Sequence, residues 1–447
     1  MYTFWLVMGG LFLLVGLILS VVRYRELPLL VLLALQPLKQ FLLIEVPVFR
    51  SIDPTLIAAV WLGVLILVLI PRAQSLWQEA PWSLIACQLF LAAWVLVSLL
   101  WTPAPSYGSY KGLRFAFLNT AVMLAPFSLL LDRKALVRLT VGVALIALIV
   151  YTKISIAPSY EASIFTDMKY FRAGFLYGCD AAPLSHQLAG SFCLGAVFAA
   201  RRWWVRVLAI LSLPPLMYGA WLTGTRASVL AMMVSAFLVL WLFGQKNKVL
   251  KGTGLVMVFV LMFVVAYVAS PPGQKERITQ GLTGVDESGQ ARLVHFRRAA
   301  EAFLANPVGA GIGSFATFSG GWDDRWFPHN IVLEAFAELG VLGGLALVFL
   351  FALFFWHVFR MRRSLAGGEP SRFYADAWLV ATIASLCVAL VTDDLADNRS
   401  VWMAMGVCVV AYRQCQLEAA ATSGVTQEEP VLVPGCYAPG LLRGGAP

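Results

Sequence analysis

The sequence is short of charged residues, which make up 13% of its 447 positions, about half the share usual in a soluble globular chain. Hydrophobic residues make up 60% of it. The core of a water-soluble protein cannot absorb that much apolar surface, so the composition excludes a soluble enzyme. It predicts an integral membrane protein.

Metal-ligand and disulfide patterns are also lacking. The seven cysteines show no Cys-x-x-Cys spacing, and several lie inside apolar segments, where small weakly polar side chains are ordinary packing: Cys87, Cys193, Cys387 and Cys408. We therefore expect no metal site and no cofactor. The formal net charge of +9 is spread in short clusters between apolar segments rather than over one face, so no nucleic-acid partner is expected.

Uncharged runs long enough to cross a bilayer dominate the rest of the chain. Residues 56–70 and 255–269 carry no charge, and with their apolar flanks they reach the ~20 residues that a transmembrane helix requires. Spanning strands would need short alternating segments, which are absent. The predicted fold class is all-α, a polytopic membrane protein with about 12 or 13 transmembrane helices. The count depends on residues 27–45, which contain Pro37, Lys39 and Glu45 and also fit a re-entrant segment.

Basic clusters set the expected orientation. They fall in alternate loops, and the positive-inside rule makes those loops cytoplasmic. The intervening loops then face the far side, the periplasm in a bacterium: 102–112, 153–183, 223–227, 271–328 and 393–399. We expect one membrane domain over residues 1–415 and a mobile cytoplasmic tail over 416–447.

The longest far-side loop, 271–328, has the pattern of a functional segment. Within 289–307, apolar residues recur at helical spacing with charged residues between them: Leu293, Phe296, Ala300, Phe303 and Leu304. This pattern predicts an amphipathic helix at the membrane interface, with these side chains facing the lipid or the protein.

Two helix starts on the far side carry ionisable residues. A very short turn places Arg226 in the first turn of its helix, where free amides, helix dipole and guanidinium together favour an anion such as phosphate. The alternative is an arginine that only anchors the helix end at the interface. Pro328 is suited to the first helical position, so His329 is expected in the first turn of the next long helix. The positive dipole end there favours a neutral imidazole that serves as a base.

Three further far-side residues accompany these two. Arg172 and Arg292 are candidate anion ligands, and His295 is either a surface residue of the loop helix or part of the site.

Two motifs carry a family resemblance. The pattern Arg-x3-Leu is met by Arg226 and Leu230, and the pattern His-[Asn/Ser/Gln]-x9-Gly-x-x-[Gly/Thr/Tyr] is met by His329, Asn330, Gly340 and Gly343. With about twelve spans and the longest far-side loop just before the histidine, the sequence resembles the O-antigen ligase and polymerase superfamily of bacterial envelopes. Gln290 stands where many relatives have arginine, so we shift that role to Arg292.

The resemblance implies a glycosyltransferase of the bacterial inner membrane with its active site facing the periplasm. Such an enzyme moves O-antigen glycan from undecaprenyl pyrophosphate to a sugar hydroxyl of the lipid A core. It implies His329 as the catalytic base and Asn330 as a substrate-binding residue. Arg226, Arg172 and Arg292 would stabilise the pyrophosphate without a metal. Direct attack by the acceptor would invert the anomeric centre.

Two alternatives remain open at this stage. An O-antigen polymerase uses the same donor but extends a lipid-linked glycan. A transporter is less consistent with the sequence, because ion pathways place charges in the middle of helices, whereas the charges here gather at one rim.

Overall fold

The structure is a computed structural model that describes residues 14–46, 49, 53–156, 159–161, 172–174, 202–222, 226–243, 287–365, 371–392 and 394–422, with scattered positions and short runs between 190 and 275. Only the backbone is described in the strands and at 37, 40, 41, 43–45, 226–230, 287 and 288. The described residues are helical except for loops and one antiparallel pair of three-residue strands.

The helices follow one another in this order: α1 (Leu27–Glu45), α2 (Pro54–Leu69), α3 (Gln74–Gln78), α4 (Trp82–Ser98), α5 (Pro105–Leu113), α6 (Thr120–Leu129), α7 (Arg133–Ile156), α8 (Trp203–Leu222), α9 (Arg226–Phe243), α10 (Glu287–Ala305), α11 (Phe315–Phe318), α12 (Ile331–Arg363), α13 (Arg372–Ala389) and α14 (Arg399–Thr422). A 3-10 turn over Ile70–Ala73 joins α2 to α3, and a π-helical turn over Arg114–Asn119 joins α5 to α6. The strands β1 (Ser159–Glu161) and β2 (Arg172–Gly174) follow α7.

Six described helices are long and apolar enough to cross a membrane: Pro54–Gln78, Pro105–Leu129, Arg133–Ile156, Trp203–Leu222, Ile331–Arg363 and Arg372–Ala389. Three shorter apolar helices accompany them. The helical fold class is confirmed, and the expected total of about twelve spans stays a prediction.

Helix α14 occupies the centre of the bundle. Every residue from 399 to 412 is buried, including Trp402 and Tyr412, although a lipid-facing helix would expose one side. Trp402 packs edge-on against Phe115 with ring centroids 5.4 Å apart. Gly406 lets this helix approach the backbone of α6, because an added Cβ would overlap the carbonyl oxygen of Met123. The loop that precedes α14 is thereby held at the bundle axis.

Helix α12 is broken by a glycine of the histidine motif. Gly340 adopts φ +68°, a left-handed conformation that glycine takes without steric cost. The break lets the turn after α10 insert, and Val341 N donates to Pro307 O at 2.9 Å. An added Cβ on Gly340 would overlap the backbone of Val308. The motif glycine therefore serves to dock the turn after α10 on α12.

The predicted loop helix is confirmed as α10, and it packs on α12. Its contact face combines Ala299 and Ala302, which are buried with Ala337 of α12, and Phe303, whose ring packs edge-on against Phe336 of α12. Leu293 and Leu304, by contrast, are 61% and 75% exposed. The two predicted leucines therefore do not dock on the protein, and they remain available for the lipid contact predicted from the sequence.

Candidate active site

Three loops that the sequence assigns to the far side meet at one end of the bundle. Thr102 Oγ1 donates to Ile312 O at 2.8 Å, which joins the first loop to the long one. The backbone amides of Ser106 and Tyr107 both donate to the Asp323 carboxylate, at 2.6 and 2.7 Å. The loop before α14 joins them through Tyr107, as described below. The side of the membrane on which this end lies stays a prediction.

His329 lies immediately before α12 rather than in its first turn. Asn330 caps the helix, because its Oδ1 accepts from the amides of Val332 and Leu333 at 3.0 Å each. The helix therefore begins at Ile331, and the prediction that Pro328 is the first helical residue is wrong. His329 itself has φ +59°, a left-handed conformation that is uncommon outside glycine. This geometry turns its side chain out of the helix axis and toward the neighbouring loops.

The His329 ring is held by the loop after α13. Its Nδ1 lies 2.9 Å from the carbonyl oxygen of Thr392. A carbonyl only accepts, so Nδ1 carries the hydrogen and the lone pair of the neutral ring is on Nε2. Burial lowers the pKa of His329, and the positive charge of Arg292 lowers it further against an opposing effect of the Thr392 bond. His329 is therefore neutral at physiological pH and has a basic Nε2.

His295 belongs to the same site. Its ring centroid lies 6.2 Å from that of His329, and edge-on rings flank it, Trp326 at 5.5 Å and Phe315 at 5.9 Å. Its Nδ1 is buried and has no hydrogen-bond partner among the residues described. Burial lowers its pKa, and His329 and Arg298 lower it further. The choice left open by the sequence is resolved in favour of a residue that borders the site.

Of the three predicted arginines, the structure describes the side chain of one and only the backbone of the other two. Arg292 lies on α10 one turn before His295, half-buried, and its charge acts on His329. Arg226 is the first residue of α9, which agrees with the helix start predicted there. Arg172 is the first residue of β2. Their side chains lie outside the described atoms, so their assignment to the pyrophosphate stays a prediction.

Asn330 has a structural role that the sequence did not predict. In addition to the cap, its Nδ2 donates to Leu390 O at 3.0 Å, which ties the start of α12 to the end of α13. These bonds use both ends of its amide. The predicted contact with substrate stays a prediction.

A buried ionic triad beneath His329 was missed in the sequence. Lys111 lies between Glu334 and Glu338, with 2.6 Å from its Nζ to Glu338 Oε2, and all three side chains are at most 1% exposed. Glu338 also accepts from Gly313 N at 2.9 Å, and Glu334 accepts from Leu395 N at 2.9 Å. The triad therefore ties α5, α12 and two loops together. A sequence signal existed, because two glutamates four residues apart in an apolar helix share one face and are costly without a partner.

Two aspartates of the loop before α14 complete the polar end. Asp394 is buried and accepts from Tyr107 Oη at 3.0 Å. Burial, with the nearby Asp397, raises the pKa of Asp394. Asp397 has the opposite shift: burial alone would raise its pKa, but the adjacent guanidiniums of Arg114 and Arg325 hold it below its usual value.

Part of the sequence matches a known protein family. Residues 208–348 match the family model described as O-antigen ligase. Over this stretch the chain is similar to the O-antigen ligase family. The matched stretch contains Arg226, Arg292 and His329, and it supports a glycosyltransferase of the ligase or polymerase type.

Other comparisons add little. No curated protein matches the chain. A chain from a structure of a peptidoglycan synthase complex aligns with 17% identity and a TM-score of 0.45, over 74% of this chain and 97% of that one. That likeness is too distant to carry a functional argument.

Proposed function

We propose that this chain transfers O-antigen glycan from undecaprenyl pyrophosphate to a sugar hydroxyl of the lipid A core, at the periplasmic face of the bacterial inner membrane. The observation that carries the proposal is a neutral His329, whose Nε2 is basic and on which the charge of Arg292 acts, at one end of a membrane bundle. A base beside a guanidinium is what transfer from a diphosphate donor requires.

The proposed reaction is a single displacement. The acceptor hydroxyl oxygen attacks the anomeric carbon of the glycan and forms the new glycosidic bond. The bond from that carbon to the phosphate oxygen breaks, and undecaprenyl pyrophosphate leaves with the electron pair. Nε2 of His329 takes the hydroxyl proton as the attack proceeds. One displacement inverts the anomeric centre.

The leaving pyrophosphate is stabilised by arginine in this proposal. Arg292 is supplied by α10, which packs on α12 through Ala299 and Ala302, so the helix fixes the arginine relative to His329. Arg226, at the amino terminus of α9, adds free backbone amides to its guanidinium. Arg172 is the third expected ligand. Several guanidiniums that converge on a diphosphate supply the charge that a divalent cation supplies elsewhere.

Embedding in the membrane suits the donor. A polyprenyl chain stays in hydrocarbon while its sugar and diphosphate lie at the rim, so the donor enters sideways between helices. The exposed Leu293 and Leu304 of α10 place apolar surface at that same end.

A reconstituted transfer assay tests the proposal and separates it from the polymerase alternative. Purified protein in liposomes receives a lipid-linked glycan with either lipid A core or a second lipid-linked glycan. Glycan appearing on lipid A core supports the ligase. Extension of the lipid-linked glycan alone would assign the same site to a polymerase, and no transfer to either acceptor would refute the proposal.

A further inference from the structure

Three arginines that the proposed mechanism does not use surround one carboxylate near His329. Arg114 lies in the π-helical turn after α5, Arg325 lies in the long loop, and Arg399 begins α14. Arg114 Nη1 lies 2.5 Å from Asp397 Oδ1, and Arg325 pairs with the other oxygen of Asp397. Both oxygens of the carboxylate are thus taken by two guanidiniums.

Arg399 is left without a comparable partner. Its residue is only 5% exposed, and its Nε and Nη1 are buried without a hydrogen-bond partner among the residues described. Nε of Arg114 is also buried without a hydrogen-bond partner among the described residues. Asp397 and Asp53 act on Arg399 electrostatically, but Asp397 is already paired with Arg114 and Arg325, and Asp53 is paired with Lys39 at 2.5 Å. A buried guanidinium with unused donors is costly unless a negative charge compensates it.

Two carboxylates of the loop before α14 face these arginines. Asp397 pairs with Arg114 and Arg325, and the buried Asp394, which accepts a hydrogen bond from Tyr107 Oη, acts on the same two arginines electrostatically. The three guanidiniums therefore outnumber the carboxylates that face them. Such a surplus of positive charge suits a phosphate group, which carries about −1.5 to −2 at neutral pH.

We propose that Arg114, Arg325 and Arg399, which we call the arginine cluster, bind a phosphate group on the acceptor glycolipid. The inference deepens the proposed function and rests on it. Arg325 and Arg114 make the contacts, because their side chains are 61% and 17% exposed, whereas the buried Arg399 supplies charge from beneath. Planar guanidiniums suit two-point contact with phosphate oxygens.

The location of the arginine cluster favours a phosphate of the acceptor over the diphosphate of the donor as its ligand. The Arg325 guanidinium lies 5.9 Å from the Phe327 ring centroid, and that ring lies 4.6 Å from the His329 ring. One aromatic residue therefore separates the phosphate site from the base that takes the acceptor proton. Arg292, assigned to the donor diphosphate, comes from a different element, α10.

The test compares Arg325→Gln with Arg297→Gln, in the reconstituted enzyme. Arg297 is a matched control on α10, because it is 82% exposed and pairs with Glu301 on its own helix. We expect Arg325→Gln to raise the KM for a phosphorylated lipid A core about tenfold or more, the usual effect of losing a charged hydrogen bond. The KM for the lipid-linked donor should not change. With chemically dephosphorylated core, the variant and wild type should have the same KM.

Two outcomes would overturn the inference. An unchanged acceptor KM in Arg325→Gln would show that the arginine cluster binds no acceptor phosphate. A raised donor KM would assign the cluster to the diphosphate instead. Equilibrium binding of fluorescent phosphorylated core to wild type and Arg325→Gln tests the inference without turnover. If binding differs as expected but wild type transfers no glycan, the proposed function fails and the phosphate site stands.

Discussion

The hydrogen bond between His329 Nδ1 and the carbonyl oxygen of Thr392, 2.9 Å long, decides which ring nitrogen of His329 is basic. Thr392 belongs to the loop that follows α13, and Asn330 ties the same region to the start of α12 through Leu390. The base is therefore oriented by a neighbouring helix end and not by its own helix alone.

The pH dependence of transfer follows from this arrangement. Burial and Arg292 lower the pKa of His329, and only the neutral ring accepts a proton. We expect activity to be constant at neutral pH and to fall as pH drops through a pKa below the ordinary histidine value of about 6.5. In Arg292→Gln, the loss of a positive charge should move this acid limb to higher pH. Rates measured against pH for both proteins check this, and an acid limb that moves to lower pH would contradict it.

Arg226→Lys should reduce transfer severely. A lysine keeps the charge but lacks the planar fork that holds two phosphate oxygens. Arg202→Lys, in a loop predicted to be cytoplasmic, is the matched control and should transfer at the wild-type rate. Near-normal activity of Arg226→Lys would support the alternative that Arg226 only anchors the helix end.

Docking of α10 should matter for turnover although its apolar face touches no substrate. The ring of Phe303 packs edge-on against Phe336 of α12 at 5.4 Å. Phe303→Asp places a carboxylate in that contact and should loosen the helix that carries Arg292. Initial rates in one liposome preparation check this, with Arg297→Gln as the exposed control on the same helix. Equal rates would show that α10 is only a connector.

Arg298, on the same helix, is not suited as an exposed control. Its Nη1 donates to Ser319 O at 2.9 Å, so its removal breaks a contact within the long loop.

Gly340→Ala should destabilise the protein. The left-handed backbone costs about 1–2 kcal/mol for a residue with a Cβ, and overlap with Val308 adds to that cost. Gly63→Ala in α2 is the control, because an added Cβ there meets no atom within 4 Å. Thermal unfolding in detergent should show a lower midpoint for Gly340→Ala only. A midpoint equal to that of wild type would mean that the break in α12 is not required.

Much of the fold follows from composition and local pattern. Long uncharged runs suffice to predict helices in a membrane, because no other arrangement satisfies their backbone there except a closed barrel. The histidine motif predicts both a functional residue and a glycine, and Gly340 proves to be the position where the loop backbone meets α12.

The remainder depends on contacts between distant segments. Lys111 and Glu338 are separated by 227 positions, and no periodicity connects them. The same holds for Thr392 and His329. The start of α12, by contrast, was predictable from the local sequence, because asparagine is a strongly preferred N-cap residue. Asn330 therefore favours a helix that begins at Ile331 over one that begins at Pro328.

The central claim is that His329 takes the acceptor proton, and glycan transfer to lipid A core by His329 variants tests it most directly. His357→Gln is the control, since His357 lies farther along α12 beside Ser83, at 2.8 Å, away from the site. We expect His329→Ala and His329→Gln to lose about 10²–10⁴-fold in rate, the usual contribution of a general base, while inserting normally. His357→Gln should match wild type. Wild-type rates in properly folded His329 variants would contradict the account.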